Sequence, residues 1–178
     1  MNRKTLLRKT AVSGVIAALY VALTLAFAPI SYLNIQFRIS EALMLMPLLF
    51  PESWIGLTVG CLLANLLNPE GAVIWDVIFG TLATALAGLV TSKMNKKFLA
   101  PLPTVILNGV IVGVVITFAY TDVSGMSTAA TLGLMGLNML TVAAGETAVC
   151  YVLGVPLVFA MSKTGLADLI NNGKRKEK

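Results

Sequence analysis

Apolar runs interrupted by short polar stretches divide the chain into six segments, at about 11–29, 40–50, 53–67, 73–92, 101–120 and 129–161. An α-helix rises 1.5 Å per residue and needs roughly 20 mostly apolar residues to cross a hydrocarbon core of about 30 Å. The pattern therefore predicts membrane-spanning helices. The run at 40–50 is too short to cross alone and stops at Pro51, which lacks an amide donor and clashes with the preceding turn. A tilted or partial span is expected there. The run at 129–161 has the opposite problem, since as one straight helix it would extend about 50 Å. It must be broken, tilted or partly outside the bilayer. Dividing it into two spans near Gly145 would send Lys163, Lys174, Arg175, Lys176 and Lys178 to the side opposite the basic amino-terminal segment, against the positive-inside rule. The expected fold is all-α, an integral membrane protein of about six helices in a single domain, 1–178, with a frayed tail over 171–178. No period of 20 to 50 residues is visible.

Composition agrees. Of 178 residues, 57% are hydrophobic and 12% charged, about half the charge density of an ordinary soluble domain. The net charge of +5 is not a nucleic-acid signal, because the basic residues sit at the chain ends and in one short loop, where lipid headgroups would lie. With the amino terminus inside, Arg3, Lys4, Arg8 and Lys9, the loop Lys93, Lys96 and Lys97, and the five near the carboxyl terminus place twelve of the thirteen basic residues in the cytoplasm. Both termini are then cytoplasmic. The basic start resembles the n-region of a signal peptide, but the following run is of spanning length without a clear cleavage site, and reads as a retained first helix. Cys61 and Cys150 lie in apolar stretches without metal-ligand spacing, and there is no histidine. Neither an enzyme nor a cofactor is expected.

The thirteenth basic residue, Arg38, falls on the outer side with Glu41, Asp76 and Glu146 as charged neighbours of apolar runs. A charge at membrane depth costs upward of about 2.5 kcal/mol, so each needs a partner, a water-filled cavity or a ligand. Arg38 and Glu41 are three apart, on one face of a helix if one forms, and either neutralise each other or meet a solute. Asp76 follows Trp75 at the outer start of the fourth run, as a helix-dipole carboxylate beside an interfacial aromatic or as part of a site. Glu146 has no basic residue within fifteen positions, so it is either protonated or kept for a donor-rich or cationic ligand. Asn65, Asn108 and Asn138 are amides in apolar surroundings, each serving as interhelical glue or as a reader of a planar, nitrogen-rich solute. Gly14, Ala18, Ala22 and Ala26 form a smooth stripe suited to docking a separate membrane subunit. Two further small-residue stripes, Gly56 with Gly60 and Ala64, and Gly109 with Gly113, are expected in internal packing.

The runs Asn34-Ile-Gln-Phe-Arg-Ile-Ser-Glu-Ala-Leu43, Gly60-Cys-Leu-Leu-Ala-Asn-Leu-Leu67 and Trp75-Asp-Val-Ile-Phe-Gly-Thr-Leu-Ala-Thr84 resemble the QueT family, over about residues 10 to 165. The resemblance implies a six-helix substrate-capture (S) subunit of an energy-coupling factor (ECF) transporter in a bacterial cytoplasmic membrane. Such a subunit docks through small residues of its first helix on a transmembrane coupling subunit driven by two ABC-type ATPases. The implied solute is a queuosine precursor, a 7-deazaguanine such as preQ1 or queuine. In that setting Glu146 is the first choice for the guanine-like edge and Asp76 or Glu41 for the ammonium. A self-sufficient secondary transporter is the competing expectation; inverted repeats would favour it, and none is visible.

Overall fold

A computed structural model describes residues 3–31, 37–69 and 71–172. Residues 34–36 of the first family-like run and the basic tail from 173 onward lie outside the described residues. Among the described residues the chain forms helices joined by turns and loops, with no strand. Helix α1 (Arg3–Ala26) begins earlier than its apolar run, because its basic residues are good helix formers that continue the turn toward headgroup depth. A short turn, α2 (Ala28–Ser31), follows.

The second segment corrects the expectation of an α-helical partial span. It is a 3-10 helix, Ile39–Leu48, with Pro47 inside it and almost every side chain buried. Tighter winding lets ten residues extend about 20 Å, further than an α-helix of that length. After Pro51 the chain re-enters as α3 (Ser53–Leu66). The fourth segment starts with a π turn, Asp76–Gly80, and continues as α4 (Thr81–Thr91). Helix α5 (Pro101–Ala119) places its prolines in the first turn, where the missing amide costs nothing.

Ser127 caps α6 (Thr128–Val149), its side chain accepting from the amide of Ala130 at 3.3 Å. The rod then passes through a second π turn, Cys150–Gly154, into α7 (Val155–Lys163) without reversing. Pro156 lacks the amide that a regular turn would use there, so a widened turn precedes it.

Helices Arg3–Ala26 and Pro101–Ala119 and the continuous rod Thr128–Lys163 are each long and apolar enough to cross a membrane, while Ile39–Leu48, Ser53–Leu66 and Asp76–Thr91 are apolar but shorter. The six apolar segments thus stand in the expected order. Val15, Leu63, Leu86, Ile106, Leu140 and Val152 point outward and are exposed, an arrangement suited to lipid rather than water. The chain is a multi-pass membrane protein.

At the basic end, Lys9 pairs with Glu52 and Lys97 donates to Ser162 at 2.7 Å. Asn171 and Asn172, expected in a frayed tail, instead end a further helix, α8 (Leu166–Asn172). Asn171 donates to the carbonyl of Leu49 at 2.8 Å, and Arg8 to that of Leu169 at 3.3 Å. The 3-10 helix is the hub, with Met44 and Leu45 fully buried in one core with Tyr20, Leu57, Cys61 and Val158.

Candidate functional site

Ionisable and amide side chains converge on the 3-10 helix from both sides. On one side, Glu41 accepts a hydrogen bond from the hydroxyl of Tyr20 on α1. Asn108 of α5 donates through Nδ2 to Glu146 Oε1 at 2.8 Å and to Glu41 Oε2 at 3.4 Å, so one amide joins two carboxylates from different segments. Cys150 Sγ lies 3.6 Å from the Glu41 carbonyl and 4.0 Å from Glu146 Oε2. Glu41, Glu146 and Asn108 are 1%, 4% and 4% exposed, respectively. With both carboxylates taking the amide nitrogen, Asn108 Oδ1 is left buried and without a hydrogen-bond partner among the described residues.

Toward the other end, Arg38 Nη2 lies 4.0 Å from Asp76 Oδ2, both side chains buried. Asn65 donates to the Asp76 carbonyl at 3.1 Å and to Cys61 Sγ at 3.5 Å, and Thr84 donates to the same sulfur at 3.2 Å. The π turn makes this approach possible. A side chain at Gly80 would place its Cβ 3.1 Å from Asp76 Oδ1 and 3.2 Å from Asn65 Nδ2. Thr24 and Ser40 share a hydrogen bond of 2.7 Å alongside.

The structure therefore brings Glu41, Glu146 and Asn108 into one cluster and Arg38, Asp76 and Asn65 into a second, adjoining one. Arg38 and Glu41 do not share a helical face, because Arg38 precedes the 3-10 helix in an extended conformation. Asn138 stands apart, donating to Thr117 at 2.9 Å across the α5–α6 contact. Trp75 is 54% exposed and stacks on Phe79. It borders an apolar groove of about 440 Å³ with Val110, Val114 and Phe118, and among the described residues no carboxylate or amide side chain lines that groove. Such walls suit acyl chains rather than a polar solute. Tyr20 and Thr84 complete the clusters without having stood out in the sequence, and Cys61 and Cys150, which lack metal-ligand spacing, join them as hydrogen-bond partners of residues far along the chain.

The small-residue stripes separate by face. At Gly56 an added Cβ would lie 2.1 Å from the Ser13 carbonyl oxygen, and at Gly60 2.9 Å from Tyr20 Cβ, so α1 and α3 meet backbone to backbone. At Gly113 the same atom would lie 2.7 Å from Met139 Cα on α6. Both stripes serve internal packing. Gly14, Ala18, Ala22 and Ala26 lie on the exposed side of α1, and nothing stands within 4 Å of a Cβ built at Gly14.

The profile of the family described as QueT transporter matches residues 10–163. A curated relative, the queuosine precursor transporter QueT of Lactococcus lactis subsp. cremoris (strain MG1363), is 41% identical over 74 residues, covering 40% of this chain and 41% of that protein. The matched stretch is thus less than half the length of the relative. No solved structure matches the chain.

Proposed function

Since the chain belongs to the QueT transporter family, we propose that it is the substrate-capture subunit of an ECF importer, taking a 7-deazaguanine queuosine precursor such as preQ1 or queuine from outside a bacterial cytoplasmic membrane. The observation that carries the reading is the meeting of Glu41 and Glu146 on the amide of Asn108 inside an apolar bundle. A guanine-like edge offers two parallel N–H donors, from the ring nitrogen and the exocyclic amine, and one carboxylate accepts both. Glu146 takes that edge, and Asn108 Oδ1 is a further acceptor beside it. Glu41 takes the ammonium in preference to Asp76, whose carboxylate the Arg38 guanidinium already approaches to 4.0 Å. Asn65 supports Asp76, and Asn138 holds α5 to α6.

The exposed stripe Gly14, Ala18, Ala22 and Ala26 docks on the transmembrane coupling subunit, and two ABC ATPases supply the energy. The sequence has no GxxxxGK[ST] loop of its own for nucleotide phosphates. Both termini are cytoplasmic, by the distribution of basic residues.

Two measurements test the proposal. Purified protein titrated with preQ1, queuine, guanine and a panel of vitamins should prefer the deazaguanines; preference for a vitamin would overturn the solute assignment. Affinity purification from the native membrane should bring down a coupling protein and ATPases. Transport by the chain alone in liposomes would instead make it a self-sufficient carrier.

A further inference from the structure

The charges gathered around Glu41 and Glu146 do not balance, and the imbalance bears on the charge of what the site accepts. Resting on the reading of this cluster as the solute site, we propose that the two carboxylates share one proton in the empty protein and that a positively charged solute expels it. The site then selects amine-bearing members of its ligand class and releases a proton as each one binds.

Both carboxylates lie within 3.4 Å of a single nitrogen, Asn108 Nδ2, and both are buried. Two ionised carboxylates so close and so far from water repel each other, and the pair is relieved by keeping one proton. The partners decide which member keeps it. Tyr20 donates to Glu41 and supports its negative charge. Beyond the amide that both share, Glu146 has Cys150 Sγ at 4.0 Å, and a thiol is a weak donor. Glu146 is the proton holder.

The surrounding elements offer little relief. Among the described residues, the ionisable groups around the pair are Tyr20 from α1, Arg38 at the start of the 3-10 helix, Cys61 from α3, Asp76 from the first π turn and Cys150 from the second. Among them Arg38 is the one cation; it faces Asp76 and also attracts Glu41 and Glu146, so one positive charge serves three carboxylates. An independent feature points to a ligand at the same place: Asn108 Oδ1, on the amide that joins the carboxylates, is buried with no donor among the described residues.

An edge that donates twice needs both oxygens of Glu146 as acceptors, which a proton there would prevent. The proton must leave, passing to solvent, and the ammonium beside Glu41 restores the charge. A neutral analogue demands the same proton loss and brings no charge in return, so it binds more weakly.

The test is calorimetry on the full-length protein with preQ1 and with unsubstituted 7-deazaguanine, at about pH 6, 7 and 8, in buffers of differing ionisation enthalpy. Release on binding means that affinity rises with pH, by about tenfold per pH unit while the empty dyad holds its proton and the ligand keeps its charge. About one proton per preQ1 should appear in the buffer-dependent heat, and the neutral analogue should bind at least about tenfold more weakly. Glu146→Gln should abolish the release and flatten the pH profile of whatever binding remains. Binding of both ligands with no proton release, at equal affinity and independent of pH, would overturn the exchange and leave the solute site standing. Failure of both ligands to bind the wild type would remove the solute reading and this inference together.

Discussion

Replacing Ala18 and Ala22 together by leucine should abolish uptake and assembly while leaving solute binding nearly unchanged. Both residues face away from the side of α1 that carries Ser13, Ala17 and Tyr20 against α3. Exposed substitutions of this kind shift stability by about 0.5 kcal/mol or less. At a close helix–helix contact, each added isobutyl group costs about 1–3 kcal/mol, so the pair should weaken docking by about 30-fold or more. Gly56→Leu is the contrast on the opposite face. Its Cβ would stand 2.1 Å from the Ser13 carbonyl oxygen and 2.8 Å from its carbonyl carbon, atoms of backbone that cannot rotate away. That variant must push α1 off α3, and it should unfold at lower temperature even in isolation. The assay is co-expression with the proposed coupling subunit and ATPases, scored by copurification, uptake and calorimetric binding. If the Ala18/Ala22 variant assembles normally yet loses binding in step with uptake, the stripe is not a docking face.

A tag after Lys97 should be cytoplasmic and a tag between Asp122 and Ser127 external, as cysteine accessibility from each side can report; both on one side would overturn the six-span topology. Asn108→Leu removes the donor common to both carboxylates and the free acceptor, and should weaken preQ1 binding by about tenfold or more, with a thermal melt run alongside to separate binding from folding. Trp75→Ala, far out on the lipid-facing side, should change affinity by less than about threefold. A larger loss would return Trp75 to the solute site.

The six apolar segments were legible in the sequence because lipid imposes a crude and strong rule, one long apolar run per crossing. Finer features follow from contacts the local pattern does not encode. The Ile39–Leu48 segment reads as a truncated α-helix, yet burial on nearly every side and Pro47 in its interior accompany a tighter winding. The π turn at Asp76–Gly80 rests on one glycine giving room to an amide from another helix, and nothing in its own apolar surroundings marks it.

Candidate residues were legible by type, since any carboxylate or amide in an apolar run asks for a partner. Their partners were not. Glu146 looks isolated because its donor, Asn108, is 38 residues away, and Asn108 reaches Glu41 across 67. Arg38 and Glu41 are three apart, but Arg38 is extended at the N-cap, so it is proximity in the fold and not a shared helical face that brings their charges near each other. Trp75 adjoins Asp76 in sequence, but successive helical side chains point in different directions, and the indole faces outward.

The central claim is that a buried carboxylate beside Asn108 reads the donor edge of a 7-deazaguanine, and Glu146→Gln tests it most directly. The amide keeps the shape of the side chain and one acceptor for Asn108, but it turns one of two acceptors for the ligand into a donor facing a donor. Losing a charged hydrogen bond and stranding a buried donor should together cost about 2–5 kcal/mol, or about 30-fold or more in affinity. Insertion and stability should hold, since the amide matches the shape of a side chain that is neutral in the empty protein and adds no buried charge. Calorimetric titration of preQ1 into wild type and variant in detergent should show tight binding in the first and that loss in the second. Equal affinity in a well-folded variant would contradict the account and place the solute elsewhere.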